Sequence, residues 1–378
     1  MQALKAVIAN APEYRAIYRR ARQSRHRVTS VYDISSRCNL YCEGCLFFNR
    51  DGNSQGSKEP SNLGYYRLLF ATEKHRGVTY PLLAGAEPSL EPEILKVAAQ
   101  YFSNGMVHTN GTRRIDPDLP FRLYVSIWGD RTLTEKWRGA DCYRKTLRNA
   151  AADPRAVINY TINAQNIHSI LPLVAECADL GLQVTFQVYS PTADYTDYMA
   201  NGSSGAHRYI RGDASDDTLA LGPEDDRRAE AAVCEAIERY PQAVLFTQAL
   251  ARWVFARPAM FPDAPRDGSA PPDCFAANDP RHQHTLLGGG KETTKSCGHA
   301  AINCRTCRLY TTIYPRFFQA KLSQSMTTQD AIDFLDAHEV FHRLYEGHLT
   351  DQPTKRDETP PIPVVPAHAQ AGFAAASA

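Results

Sequence analysis

The chain has 378 residues, so it can bury a full core, and we expect one domain of about 200 residues beside a smaller one. Lysine and arginine number 42 against 41 aspartates and glutamates, and the formal net charge of +1 gives no global field that would recruit nucleic acid. No run of eighteen apolar residues occurs, and the N-terminal apolar run is too short for a signal-peptide core. We therefore expect a cytoplasmic protein that does not span a membrane, with its ten cysteines serving as ligands, reactive thiols or core residues rather than disulfides.

Residues 1–27 predict an N-terminal basic helix. The stretch "YRAIYRRARQSRHR" carries six arginines, at Arg15, Arg19, Arg20, Arg22, Arg25 and Arg27. The simplest interpretation is a solvated helix face. The alternative is peripheral contact with anionic lipid headgroups, or contact with an anionic substrate.

Residues 28–215 predict the main domain, in which short β-rich runs alternate with helical patterns. The predicted strands are 28–34, 78–84, 105–109, 122–128, 156–162 and 183–189. Between the last two, 166–181 has the apolar stripe of an amphipathic helix and ends at Gly181. Six strands alternating with helices predict an α/β fold with a parallel sheet, either a barrel or an open doubly wound sheet.

Polar motifs lie just beyond the predicted strand ends. The cysteine-rich "CNLYCEGC" follows the first strand, "GAEPS" (85–89) the second and "NGT" (110–112) the third. Ser126 is near the end of the fourth strand, and Asn163 is just past the fifth. In both candidate architectures the active site is at the carboxyl ends of the strands, so we expect these motifs to converge.

Cys38, Cys42 and Cys45 provide three sulfur ligands on one loop. A [4Fe–4S] cube needs one ligand per iron, and three thiolates leave the fourth iron open for a substrate or cofactor. From the cysteines alone, a three-thiolate zinc site and a thioredoxin-like "CEGC" remain alternatives.

"CNLYCEGC" opening the first βα unit, followed in order by "AGAEP", "HTNGT" and "VSIWG", resembles the radical S-adenosylmethionine (radical SAM) superfamily. The resemblance covers about residues 28–190. It implies a partial (βα)6 TIM-like barrel in which S-adenosylmethionine (AdoMet) chelates the open iron of the cluster. In that family the reduced cluster cleaves AdoMet to methionine and a 5′-deoxyadenosyl radical.

The same resemblance implies roles for individual residues. Cys38, Cys42 and Cys45 would hold the cluster. Gly85, Ala86, Glu87 and Pro88 would contact the methionine amino group, with Glu87 the acceptor best suited to an ammonium. Ser126 and Arg138 would bind the carboxylate, to which an arginine fork donates two parallel hydrogen bonds. Asn163 and the strand-six backbone near Gln187 would lie beside the ribose and adenine.

The sequence departs from the family pattern at two positions. Gly44 stands where an aromatic residue often precedes the third cysteine, and Ala86 replaces the second glycine of Gly-Gly-Glu. Neither change removes a cluster ligand.

Residues 216–325 predict a small C-terminal extension with a helix at 223–239 and a second cysteine group. The cysteines have the spacing C-x22-C-x6-C-x2-C, at Cys274, Cys297, Cys304 and Cys307. The pattern resembles the shortened auxiliary-cluster (SPASM- or twitch-like) extensions of radical SAM enzymes. A second [4Fe–4S] cluster is the favoured interpretation, with structural zinc or no metal as alternatives.

Residues 326–350 predict a helix with Thr328 as its N-cap, and 351–378 a disordered tail. The helix contains "HEVFH", His338 to His342, which matches the zinc-protease motif. The favoured interpretation is an amphipathic helix whose two histidines are solvated, because no third ligand follows at the metalloprotease spacing.

Together these features predict a radical SAM enzyme that modifies a peptide or a small metabolite. Its partners would be a low-potential, flavodoxin- or ferredoxin-like electron donor and the substrate, with no nucleic acid. The alternatives are a lipid-adenosylating enzyme resembling the hopanoid-modifying members of the superfamily, and a non-enzymatic iron–sulfur or zinc protein.

Overall fold

The computed structural model describes residues 2–24, 27–48, 62–201, 209–210, 218–266, 269–279, 281–282, 284–286, 294–295, 302–323 and 325–347. Cys297, the predicted tail at 351–378 and most of the loop between 201 and 218 lie outside the described residues.

Six parallel strands form the centre of the fold, each within two residues of its predicted bounds. They are β1 Thr29–Asp33, β2 Tyr80–Ala84, β3 Met106–Thr109, β4 Arg122–Ile127, β5 Ala156–Ile162 and β6 Gln183–Val188. Their order is β6-β5-β4-β3-β2-β1, so each strand lies beside its neighbours in sequence. This is the sheet of a partial TIM-like barrel, and the predicted fold class is confirmed.

Helices cover the outside of these strands. They are α3 Leu63–His75, α4 Pro92–Tyr101, α5 Arg131–Arg138, α6 Tyr143–Ala151 and α7 Ile170–Asp179. The predicted helix at 166–181 begins as a 3-10 turn, Ile167–Ser169, and continues as α7. Strand β5 is buried at all seven positions, as expected for a strand enclosed by helices on one face and barrel interior on the other.

The C-terminal extension joins the barrel sheet directly. Helix α8 Ala193–Asn201 follows β6 within the main domain. The extension contains α9 Pro223–Arg239, α10 Gln248–Phe255, α11 Phe275–Asn278, β7 His284–Leu286, β8 Thr294–Lys295 and α12 Tyr310–Lys321. β7 pairs in parallel with β1, and β8 is antiparallel to β7. Strands of three and two residues are too short to give a periodic sequence signal, so neither was predicted.

A buried ion pair holds two parts of the extension together, and a backbone hydrogen bond beside it fastens the extension to the barrel. Arg308 donates from Nη1 to Oδ1 of Asp226 on α9 at 2.6 Å, and its backbone N–H donates to Oγ of Ser190, just beyond β6, at 3.0 Å. Burial lowers the pKa of Arg308 and raises that of Asp226, because desolvation outweighs the pairing for both groups.

The two ends of the described chain pack together. Helices α1 Gln2–Asn10 and α2 Pro12–Ser24 lie against α13 Thr328–Glu346. From α2, the Tyr14 hydroxyl donates to Asp336 at 3.0 Å, and Arg20 pairs with Glu339. The predicted single helix at 1–27 is therefore two helices. The predicted N-cap of α13 was wrong by one residue, because Thr327 accepts the capping bond from Asp330 N–H at 3.1 Å.

The "HEVFH" residues of α13 are used in packing. The His338 ring stacks on Phe318 with centroids 3.8 Å apart, so the expectation that His338 is solvated was wrong. The Glu339 carboxylate forms an ion pair with Arg20, and His342 Nδ1 lies 2.9 Å from Oε2 of Glu346. These contacts support the structural interpretation of the motif over a zinc-protease site.

Replacing Arg308 by alanine should lower the free energy of unfolding by about 3–5 kcal/mol, because the Asp226 carboxylate would stay buried without its partner. Denaturant unfolding of the purified protein measures this change. The double variant Arg308→Met/Asp226→Leu should recover most of the loss, because it removes both charges. The matched control is Arg227→Ala, which breaks the exposed ion pair between Arg227 and Glu224 on α9, the helix that carries Asp226. This variant should change the free energy of unfolding little. Equal effects of Arg308→Ala and Arg227→Ala would contradict the assignment.

Candidate functional site

A cavity of about 290 Å³ opens at the carboxyl ends of the six parallel strands. Every one of these strands contributes to its wall, through Val31, Asp33, Ala84, His108, Ser126, Asn159, Thr161, Gln187 and Val188. The motifs beyond the strand ends complete it, through Cys42, Gly44, Cys45, Gly85, Ala86 and Arg138. The cysteine loop, the loop after β2 and Ser126 thus converge on one cavity, whereas the "NGT" loop and Asn163 do not line it.

The cysteine loop is fixed by backbone hydrogen bonds to distant parts of the chain. The N–H groups of Tyr41 and Glu43 donate to the carbonyls of Arg138 and Trp137, at 3.1 and 2.7 Å. These carbonyls belong to the last turn of α5, where the helix itself offers them no N–H partner. The loop thus uses the end of α5 as its support, and Cys42 and Cys45 face the cavity.

Gly44 lets the loop pass close to a buried tyrosine. Its φ is +54°, and a Cβ there would lie 2.1 Å from the Tyr189 hydroxyl oxygen. That hydroxyl donates to the Gly44 carbonyl at 3.2 Å. The aromatic residue that the family often has at this position would not fit, and the Tyr189 ring occupies the neighbouring space instead.

Cys38, unlike Cys42 and Cys45, does not line the cavity. Its sulfur accepts from Leu40 N–H at 3.4 Å and from Asn110 Nδ2 at 3.8 Å, which joins the cysteine loop to the "NGT" loop. Burial raises the pKa of Cys38 to about 12, and the neighbouring Cys42 contributes to the rise. A positive metal centre would reverse this and hold the sulfurs as thiolates.

The donor set fits the iron–sulfur cluster that the family would require: three thiols on one loop, beside a cavity. Within the described residues, no three His, Cys, Asp or Glu side chains form a group that could hold a single metal ion. Arg138 is buried beside Cys42. Burial opposes its charge, but the sulfurs of Cys42 and Cys142 raise its pKa. Within the described part of the chain, its Nε has no hydrogen-bond partner.

Glu87 lies behind the cavity and not on its surface. It is 1 % exposed and does not line the cavity; its carboxylate accepts from Ser89 N–H at 3.0 Å, the Thr109 hydroxyl at 2.6 Å and Asn110 N–H at 2.7 Å. These bonds tie the loop after β2 to the loop after β3. Direct acceptance of an AdoMet ammonium by Glu87 stays a prediction, with three protein donors already on its oxygens.

The backbone beside Glu87 reaches the cavity instead. Gly85 and Ala86 line it, whereas the buried Pro88 begins a 3-10 turn. Ala86 N–H donates to the Ser35 carbonyl at 2.8 Å, and a Cβ on Gly85 would lie 2.7 Å from the same oxygen. This close approach to the β1 end explains the glycine at position 85.

Ser126 and Arg138 are brought together as predicted. Both line the cavity, and Arg138 Nη1 donates to the Ser126 carbonyl. Asn163 is not on the cavity wall: its Oδ1 accepts from Gln165 N–H at 3.0 Å, and its N–H donates to Asn166 Oδ1 at 2.8 Å. These two bonds shape the turn after β5, so a cofactor contact through Asn163 remains a prediction only.

Sequence reasoning missed the strand residues that occupy the position expected for Asn163. Asn159 and Thr161 line the cavity from β5, and Gln187 Nε2 donates to Thr161 Oγ1 at 2.9 Å. Asn159 Oδ1 is buried and has no hydrogen-bond partner among the residues that the structure describes. The sequence did contain a signal for these two residues. Asn159 and Thr161 are two positions apart, so they share one face of the strand, and both are polar within an otherwise apolar run.

The second cysteine group is only partly described. Cys274 is the residue before α11, and Cys304 and Cys307 flank a 3-10 turn. Two residues beyond Cys307, Leu309 lines the main cavity. The extension therefore contributes to the cavity wall, whether or not it binds metal.

No model of a known protein family matches the sequence, and no curated protein matches it. Solved structures do match. SuiB of Streptococcus suis bound to the precursor peptide SuiA is 14% identical with a TM-score of 0.50, covering 89% of this chain and 70% of that chain. Histidine-tagged anSMEcpe with bound AdoMet is 12% identical with a TM-score of 0.50, covering 86% of this chain and 99% of that chain.

The chain shares the fold of these proteins. A further match, SuiB bound to S-adenosylmethionine, has 16% identity and a TM-score of 0.48 and covers 72% of this chain and 65% of that one, so this chain spans just under two thirds of that protein's length. Separately, no helix among the described residues has both the length and the apolar character needed to cross a bilayer.

Gly44→Ala should displace the cysteine loop, because the new methyl group would collide with Tyr189 and would lie 2.8 Å from the Tyr195 ring. We expect iron per chain after anaerobic reconstitution to fall well below the wild-type value. Gly181→Ala is the matched control. Gly181 has a φ of +69° but open space around it, so this variant bears the backbone strain without the collision. Wild-type iron content in Gly44→Ala would contradict the role given to this glycine.

Proposed function

We propose that this protein is a radical SAM enzyme. The observation that carries the proposal is the three-cysteine loop held at the mouth of a cavity that is walled by all six parallel strands. Cys38, Cys42 and Cys45 would hold a [4Fe–4S] cluster through three of its irons, leaving one for AdoMet. When bound and reduced, the cluster would supply the electron that breaks a carbon–sulfur bond of AdoMet.

The remaining residues would bind and orient AdoMet. Arg138, buried and with Nε still available, is suited to the AdoMet carboxylate. Gly85 and Ala86 line the cavity after β2 and would offer backbone carbonyls to the AdoMet ammonium, and Glu87 would act by holding that backbone in place. Asn159 and Thr161 would offer hydrogen-bonding groups to the ribose hydroxyls.

We further propose a peptide as the substrate class. SuiB, which shares the fold, was solved with a precursor peptide bound, and this supports a peptide over a small metabolite. The lipid alternative rested on the basic N-terminal helix. Arg20 and Arg27 of that region pair with Glu339 and Glu346 on α13, so two of its six arginines serve packing within the protein. A low-potential protein donor would supply the electron.

Reconstituted, dithionite-reduced protein should release 5′-deoxyadenosine from AdoMet, and Cys42→Ala should release none, because one iron would lose its thiolate. Chromatography of the quenched reaction measures the product. Cys234→Ala, at a partly buried cysteine on α9, is the matched control and should keep wild-type turnover. Equal turnover by wild type and Cys42→Ala would contradict the proposed role of the cysteine loop, and no release by wild type would favour a non-enzymatic metal site.

We propose that Cys274, Cys297, Cys304 and Cys307 bind a second [4Fe–4S] cluster. Replacing Cys304 and Cys307 together by alanine should then lower iron by about four atoms per chain, one cluster's worth. Iron and zinc analysis after anaerobic reconstitution distinguishes the outcomes. Loss of one zinc would support a structural zinc site, and unchanged metal content would mean that the group binds none.

A further inference from the structure

Asp33 and His108 face the same cavity from strands β1 and β3. Asp33 pairs with Ala84 on β2, and Leu83 pairs with Val107, so Ala84 and His108 stand side by side in the same row of the sheet. Ala84, whose side chain is a methyl group, stands between the two longer side chains in that row. A carboxylate and an imidazole therefore face each other across a small residue inside the barrel, and both line the cavity.

The environment fixes the character of both groups. Burial lowers the pKa of His108 to about 4, with Asp33 opposing the shift, so the imidazole is neutral near pH 7 and can both donate and accept a hydrogen bond. The Tyr124 ring meets it edge-on, with centroids 5.1 Å apart, and restricts its orientation. Asp33 is 4 % exposed, so little water screens the electrostatic attraction between its carboxylate and a bound cation.

The cavity wall carries one basic and one acidic side chain at separate places. Among the described residues that line it, Asp33 is the one carboxylate and Arg138 is the one lysine or arginine. Arg138 follows β4 and lies beside Cys42, whereas Asp33 is on β1, three strands away in the sheet. In the proposed function Arg138 and its neighbours bind AdoMet, whereas Asp33 and His108 have no assigned role.

We propose that Asp33 and His108 form the substrate-recognition side of the cavity and select a substrate that presents a protonated amine near the reacting carbon. This inference rests on the proposed function. An ammonium group has three N–H donors and a positive charge. One N–H would donate to the buried Asp33 carboxylate, which has the opposite charge, and a second would donate to the neutral imidazole of His108. Both are positioning residues: they would hold the substrate carbon near the 5′ carbon of AdoMet.

The chemical step is the transfer of one hydrogen atom. A carbon–hydrogen bond of the substrate would break and a new one would form at the 5′ carbon that AdoMet supplies, which would leave a carbon radical on the substrate. In the test below, dithionite supplies one electron for AdoMet cleavage. A second electron from dithionite and a solvent proton convert the carbon radical to a closed-shell product.

The test uses three perdeuterated six-carbon probes: hexylamine, hexanol and hexanoate. Each is incubated with the reconstituted, reduced holoprotein and AdoMet, and mass spectrometry measures deuterium in the released 5′-deoxyadenosine. Wild type should take up about tenfold more deuterium from hexylamine than from hexanoate, the factor expected for one charge-assisted hydrogen bond. Asp33→Asn should abolish this preference, and His108→Gln should reduce it.

A further readout separates substrate recognition from a general loss of AdoMet binding. The AdoMet dissociation constant, measured by equilibrium dialysis, should stay within about twofold of wild type in both variants. Asp118→Asn, at an exposed acid away from the cavity, is the control and should keep the preference for hexylamine.

Several results would overturn the inference: similar deuterium uptake from all three probes, uptake from none, or a hexylamine preference that survives Asp33→Asn. Weakened AdoMet binding by Asp33→Asn would also overturn it, because the carboxylate would then serve AdoMet. If wild type released no 5′-deoxyadenosine, the proposed function itself would fail, and this inference with it.

Discussion

The site depends on two backbone hydrogen bonds across the mouth of the barrel. The cysteine loop begins after β1, and its N–H groups at Tyr41 and Glu43 reach the carbonyls that end α5, which follows β4. These strands are separated in the sheet by β2 and β3, so the sheet must curve for the loop to make the contact. The same contact puts Cys42 beside Arg138 and satisfies helix-end carbonyls that would otherwise lack partners.

The loops after β2 and β3 are organised around this contact. Glu87 takes donors from its own loop and from the "NGT" loop, and Asn110 of that loop donates to the Cys38 sulfur. The Glu87 carboxylate thus links the loops that follow β2 and β3. It stabilises the cavity wall without lining the cavity itself. Among the described residues of the wall, Arg138 and Asp33 are therefore the charged side chains that a bound molecule would contact.

Much of the barrel could be predicted from the sequence, because each strand is a β-branched or apolar run closed by polar residues. The bounds of β5 and α9 were predicted to the residue. Site residues in loops were identified by the rule that parallel strands end on one edge. That rule locates a residue near the site but does not say which way its side chain points, which is why Glu87 and Asn163 were expected on a wall they do not line.

The features that could not be predicted depend on long-range packing. Nothing local in "HEVFH" shows that Glu339 pairs with Arg20, 319 residues earlier, and β7 is too short for any periodicity to reveal its place beside β1. Asp33 and His108 are polar residues within strand runs, a pattern that can mark a barrel interior. Their proximity depends on the pairing register of three strands, which the sequence does not state.

The central claim is that the three cysteines hold a [4Fe–4S] cluster with one iron open to AdoMet. Electron paramagnetic resonance of the reconstituted, dithionite-reduced protein tests it most directly, in a Cys304→Ala/Cys307→Ala background that isolates the first site. The account predicts a [4Fe–4S]⁺ signal whose g values shift when AdoMet is added, and no such signal after Cys42→Ala. A cluster signal that AdoMet leaves unchanged, or no cluster signal at all, would contradict it.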